Sequence, residues 1–286
     1  MKYSSYLTKI PEGFFQQMPN LTYLDLSHTG IKELPKDIHC LVNLQYLNIS
    51  NTNISSLQME LVCLKKLQYL ICRNLKGLGK VEDGLISRLQ KLEVIDLYPY
   101  GWAEPEELKS LKKHVLKAIG MRVVSQEVLQ QLSCLPTTRL YIKNLDNMIY
   151  LSFDTLSCKD DGFLQEIKIK SCPQLEQIVM KGRETHLNKL KISNVEKLQN
   201  IIWRDLPPPE FFHVLKWLSL SRCNLDNLAW VLHLPCLSYL KIIDCAEIET
   251  LFYIEERVNK FGVAQHSHYI EITSYLLLAT IKNDEH

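Results

Sequence analysis

Aliphatic residues return along this chain in a fixed alternation. From Leu21 the sequence reads LTYLDLSHTGIKELPKDIHCLVN, from Leu44 LQYLNISNTNISSLQMELVCLKK, and from Leu67 LQYLICRNLKGLGKVEDGLISRLQK. Aligned, the three share L-x-x-L-x-[LIC]-x-x-[TL]-x-[IG]-x-x-L and a later L-x-x-L. Carried forward, the template defines ten units, starting at Leu21, Leu44, Leu67, Leu92, Leu116, Thr137, Leu164, Leu187, Leu215 and Leu237. Their spacings are 23, 23, 25, 24, 21, 27, 23, 28 and 22 residues. The unit at Leu116 is a poorer match, and the one at Thr137 lacks its first leucine.

A period of this length with this leucine spacing is the leucine-rich-repeat pattern. Each unit predicts one short strand with two aliphatic side chains on the same face, because alternate residues of a strand point the same way. These pairs are Leu24 and Leu26, Leu47 and Ile49, Ile167 and Ile169, Leu190 and Ile192, Leu218 and Leu220, and Leu240 and Ile242. One unit cannot bury its apolar face alone, and stacking neighbours makes the core continuous. The expected fold is α/β: a leucine-rich-repeat solenoid, or horseshoe, of about ten repeats. It has a parallel concave sheet and an irregular or helical convex side. On the return paths, Pro105 followed by Glu106 and Glu107 predicts a helix start that runs to about Lys113. A second helix is expected over Gln126 to Leu132, and Pro207-Pro208-Pro209 predicts an extended convex loop.

Composition supports a folded domain and removes several function classes. Of 286 residues 48 are leucine, 46% are hydrophobic and 23% are charged, and the net charge is +1. That balance lacks the signature of disorder and the basic excess of a nucleic-acid binder. The most apolar stretch, Ile270 to Ile281, is too short to span a bilayer and contains Glu271. Nine cysteines include no C-x-x-C pair, so the common zinc and redox spacings are missing. A reducing, cytoplasmic compartment is the expectation.

Three segments follow from the register. Residues 1–20 are expected to form a partial, uncapped N-terminal repeat, since Leu7-x-x-Ile10-Pro11 matches Ile31-x-x-Leu34-Pro35. By that register the earlier unit starts before Met1, which predicts a piece of a longer array. Residues 21–251 form the solenoid. Residues 252–286 are a divergent tail or cap, in which Ser267 to Ile272 offers an eleventh strand.

The stretch from Ile10 through Ile54, IPEGFFQQMPNLTYLDLSHTGIKELPKDIHCLVNLQYLNISNTNI, resembles the repeat region of plant coiled-coil nucleotide-binding leucine-rich-repeat disease-resistance proteins. So does the block from Glu106 to Leu132, and so do the later units with Cys172 and Cys245 at the ninth position. The resemblance covers about residues 7–251. It implies a non-catalytic recognition module of an intracellular immune receptor, with no cofactor of its own. The implied partners are a pathogen effector, a guarded host protein, or the receptor's own nucleotide-binding domain, which the repeats restrain. Gly79-Lys80 is preceded by Asn74 where a phosphate-binding loop needs glycine, so nucleotide binding is not assigned to this chain. Two rival readings are the repeat module of a ubiquitin-ligase adaptor and a truncated remnant without activity of its own.

The outward strand positions are the candidate binding face. One column carries Tyr23, Tyr46, Tyr69, Val94, Trp217 and Tyr239. Tyrosine and tryptophan are enriched in interface hot spots, although the same column fits aromatic stacking along the sheet. A second column carries Asp25, Asn48, Ile71 and Asp96, then Lys168, Lys191 and Lys241, with Lys170, Lys189, Lys216 and Arg222 close by. It predicts an acidic-to-basic gradient that orients a protein partner, or else a solvated polar face. Cys172, Cys223 and Cys245 occupy equivalent positions, where a small polar side chain is expected to bond backbone at an inward bend. No nucleophile–base pair or metal-ligand set can be placed by spacing.

Overall fold

The computed structural model describes residues 6–152, 164–182, 185–225, 228–245 and 269–273, the last for the backbone alone. Each expected unit start is followed two residues later by a position in a strand. The described residues divide into two compact units after Tyr141.

In the first unit the strands are β1 (Tyr23–Asp25), β2 (Tyr46–Asn48), β3 (Tyr69–Ile71), β4 (Val94–Asp96), β5 (Ala118–Val123) and β6 (Thr137–Lys143), whose last two residues fall beyond the boundary. They lie side by side in chain order, and β1 to β5 pair in parallel. Leu47, Ile49, Leu70, Ile95 and Ile119 are fully buried. Leu24, on the edge strand β1, and Leu26, just after it, are only half-buried.

The return paths change character along this unit. Early turns use 3₁₀ segments, Phe15–Gln17, Lys36–Cys40 and Met59–Cys63. Later ones use α1 (Pro105–Leu111) and α2 (Gln126–Leu132). Pro105 opens α1 with Glu106 and Glu107 in its first turn, and the Ser125 hydroxyl caps α2 by accepting the Val128 N–H at 3.2 Å. Both helices match expectation, with α1 ending two residues early.

Buried carboxylates tie adjacent return paths together. Glu107 accepts the N–H groups of Gly84 (2.6 Å) and Ser87 (3.0 Å) and the Ser87 hydroxyl (3.0 Å). Asp37 accepts the Phe15 N–H at 2.7 Å in the same manner. These bonds satisfy amides of short helical turns that have no partner within the turn itself.

The second unit repeats the plan with an added layer. Its main sheet runs β8 (Glu166–Lys170), β10 (Lys189–Val195), β12 (Trp217–Cys223), β13 (Tyr239–Ile243) and β14 (Tyr269–Thr273), all parallel. The eleventh strand suggested near Ser267 is therefore β14. Ile167, Ile169, Leu190, Ile192, Leu218, Leu220, Leu240 and Ile242 are buried. A second parallel sheet on the return paths, in the order β11–β9–β7, was not anticipated. It comprises β7 (Tyr150–Ser152), β9 (Gln177–Met180) and β11 (Asn200–Trp203), with Leu151, Ile178 and Ile201 in register.

The expected extended loop at Pro207-Pro208-Pro209 is also corrected. Pro208–Phe211 forms a short helix, α3. Proline has no N–H to lose at the first helical positions, and its fixed φ suits them. Phe211 and Phe212 then pack edge-on against Trp203, at 5.9 and 5.6 Å between ring centroids.

A left-handed backbone corner closes the strand segment of most turns. His28, Asn51, Asn74, Asn144, Ser171, Asn194, Arg222 and Asp244 all have φ between 51° and 60°. Each is the eighth residue of its unit. Asparagine and aspartate tolerate this region better than most residues. Within the first unit the corner side chains also bond each other: Asn74 donates to Asn51 at 3.1 Å, and Asn51 contacts His28 at 3.3 Å.

The carboxylate ties can be tested directly. Glu107→Ala removes the acceptor for three donors and is expected to cost about 1–3 kcal/mol per buried donor left unsatisfied, partly relieved by water. Urea unfolding should show a lowered midpoint, and an unchanged midpoint would mean the ties carry no stability.

Candidate protein-binding face

The outward tyrosines of the first unit stand in one column because the register is fixed at equal repeat positions: Tyr23 opposite Tyr46, and Tyr46 opposite Tyr69. Adjacent parallel strands lie about 4.8 Å apart, close to the separation of stacked rings. Tyr23 and Tyr46 stack with centroids 4.3 Å apart and planes 6° from parallel. Tyr46 and Tyr69 are 6.0 Å apart and tilted by 38°. Tyr23 remains 57% exposed, and Tyr46 and Tyr69 are half-buried. Burial, then hydrogen bonding with Tyr23 and the charge of Asp25, pushes the Tyr46 phenol above its usual range. The column continues as Val94, where the aromatic strip ends.

Stacking and exposure therefore coexist. The rings cover one another's faces and still present edges and hydroxyls outward. Such a preassembled surface loses little side-chain entropy when a partner docks.

Asp25 behaves as an outward residue. Its Oδ1 accepts the Ser27 N–H at 2.8 Å, and its Oδ2 accepts from the Asn48 amide at 3.1 Å. Burial pushes its carboxyl up, but these hydrogen bonds outweigh burial and hold it below the usual carboxylate range.

Asp96 does not behave in this way, and the expectation that it contacts a partner is corrected. It is only 2% exposed. Its Oδ2 pairs with the Arg73 Nε and with the Arg139 Nη1 (3.0 Å), and its Oδ1 accepts the Tyr98 N–H at 3.2 Å. Arg139 reaches it from β6 across β5, where the intervening position is Gly120. A methyl group at Gly120 would lie 2.7 Å from Asp96 Oδ1 and 3.3 Å from Arg139 Cβ. The missing side chain is what lets two arginines close over one carboxylate. The acidic half of the expected gradient is thereby reduced to Asp25.

In the second unit Trp217 and Tyr239 occupy the aromatic column and stack at 3.7 Å and 20°. Trp217 is 38% exposed, and the Lys189 ammonium lies 5.0 Å from its ring centroid. Lys168 and Lys191 are directly opposite each other on β8 and β10. Lys241 is further off: Ser219 separates it from Lys191, and Glu271 stands opposite it in the register. Burial first, and then Lys191 and Lys170, push the Lys168 ammonium below its usual range.

The ninth-position residues turn inward as expected. Thr29 and Thr52 donate to the carbonyls of Leu26 (2.7 Å) and Ile49 (2.9 Å), and Cys172 and Cys245 donate to those of Lys170 (3.6 Å) and Ile243 (3.5 Å). Cys223 and Cys245 lie with Sγ atoms 3.2 Å apart. Among the described residues no group of three or more His, Cys, Asp or Glu side chains is placed to hold a metal ion, and no helix is long and apolar enough to cross a membrane.

Residues 5–201 match the sequence profile of a leucine-rich repeat region. Over 279 residues, 95% of its length, the chain is 28% identical to an Arabidopsis thaliana protein named "Probable disease resistance protein". It spans about a quarter, 27%, of that relative. Among solved structures it is similar to the repeat ectodomain of the Arabidopsis thaliana receptor kinase GASSHO1/SCHENGEN3, at 17% identity and a TM-score of 0.47, covering 94% of this chain and 37% of that one. A TDR receptor gives 16% identity and a TM-score of 0.47, covering 81% and 45%.

Gly120→Ala tests the arginine–aspartate cluster. Overpacking at this site is expected to cost about 1–3 kcal/mol and to displace Arg139 from Asp96. Thermal unfolding should report the loss, and a variant as stable as the parent would show that the gap at Gly120 is not required.

Proposed function

The chain belongs to the leucine-rich-repeat family, and on that footing we propose that it is the non-catalytic recognition module of a plant intracellular immune receptor, working in the cytoplasm. It senses a pathogen effector or a guarded host protein. It also contacts and restrains a nucleotide-binding domain that this sequence does not contain. The relationship to a disease-resistance protein along nearly the whole chain supports the immune setting.

The observation that carries the recognition role is the tyrosine column of β1 to β3. Its three rings are held in register by the backbone, and the residues beside them in each strand point into the core. Removing them subtracts contact area without opening the core. Aromatic hot-spot residues typically contribute 2 kcal/mol or more at an interface, which corresponds to a loss of more than about tenfold in affinity.

The test compares the tagged chain with its Tyr23→Ala/Tyr46→Ala/Tyr69→Ala variant by immunoprecipitation from plant cells, with quantitative mass spectrometry. The parent should retain a nucleotide-binding receptor domain or a defence-related host protein. The variant should retain at least about tenfold less while its circular dichroism spectrum is unchanged. Equal retention by parent and variant would contradict the assignment of this face.

A further inference from the structure

On the second unit, β8 and β10 set four lysines on one outward face. Lys168 and Lys170 are two residues apart on β8, and Lys189 and Lys191 are two residues apart on β10. All four are half-buried, and the inward residues between them, Ile169 and Leu190, are fully buried. The register sets Lys168 directly opposite Lys191. Glu166 stands on the same face and bonds Lys189 at 3.2 Å.

Such an arrangement opposes folding. Like charges facing each other across strands destabilise a sheet, and Lys168 feels the repulsion of Lys191, Lys170 and Lys189 on top of its own burial. Side chains that cost stability in the free protein are candidates for a role that appears only on binding.

We propose that this face docks an extended, carboxylate-rich segment of a partner protein. The spacing suits one. Alternate residues of an extended chain lie about 6.6–6.8 Å apart on one face, as do Lys168 from Lys170 and Lys189 from Lys191. A segment laid along the strands therefore sets alternate carboxylates over successive lysines, and neighbouring segment residues point away. Glu166 favours a peptide over a nucleic acid, because a peptide can place a neutral residue above it and a phosphodiester backbone cannot. The adjoining stack of Trp217 on Tyr239 supplies an apolar shoulder for such a neutral residue. The proposal names the chemistry of a partner for the recognition role above, but it stands on a different unit and different residues from the tyrosine column.

The experiment uses the full chain and a fluorescent oligoglutamate peptide, with fluorescence anisotropy as the readout. Oligothymidylate of matched charge and oligolysine serve as comparison probes. Oligoglutamate should bind, weaken with added salt and outcompete oligothymidylate, and oligolysine should not bind. Lys168→Gln/Lys191→Gln should lose at least about tenfold in oligoglutamate affinity while its melting temperature stays level or rises. Preference for oligothymidylate would overturn the proposal in favour of nucleic acid. Absence of oligoglutamate binding, or binding unchanged in the double variant, would overturn it outright. The tyrosine triple variant should bind oligoglutamate as the parent does, so a failure of one face is told apart from a failure of the other.

Discussion

Everything in this molecule depends on one backbone constraint: each turn hydrogen-bonds to the next at the same repeat position. The Tyr46 N–H reaches the Thr22 carbonyl, and the Tyr69 N–H reaches the Gln45 carbonyl. At the left-handed corners the His28 N–H bonds Ser50, and the Asn51 N–H bonds Arg73. Buried amides must find such partners, and for these the partner is one circuit of the chain away. The ladder turns a sequence period into columns. An inward column of leucine and isoleucine becomes the core, and an outward column becomes a surface whose side chains sit about 4.8 Å from their neighbours.

The same constraint explains how a conspicuous outward chemistry arises from register alone. Tyrosines at equivalent positions have to stack, so the strip of Tyr23, Tyr46 and Tyr69 is built by register rather than by any special loop. Lysines at equivalent positions have to repel, so Lys168 and Lys191 face each other. Where an outward residue is enclosed instead, the enclosure needs help from neighbouring turns, as when Arg73 and Arg139 close over Asp96 across a glycine.

Much of the fold was legible because it is periodic. The ten unit starts place β1 to β6, β8, β10, β12 and β13, and Ser125 and Pro105 mark their helices by ordinary end preferences. The sheet of β7, β9 and β11 is not legible in this way. Its strands are three or four residues long, and their only signals are apolar pairs such as Ile178-Val179 and Ile201-Ile202, which repeat too few times to stand out. Asp96 was misplaced for a different reason. Its strand position alone points outward, and its burial follows from Arg73, Gly120 and Arg139 on three other repeats. No single repeat carries that information. The columns follow from the repeat and its register; which of their members are exposed depends on the packing between turns.

Native-state hydrogen exchange tests the ladder most directly. If turn-to-turn bonding is the organising interaction, the amides of Tyr46, Asn51, Tyr69 and Asn74 should be protected, including the corner residues that lie outside any strand. Protection should extend across both strand and corner positions of each turn. Rapid exchange at Asn51 and Asn74, with protection confined to the strands, would contradict the account.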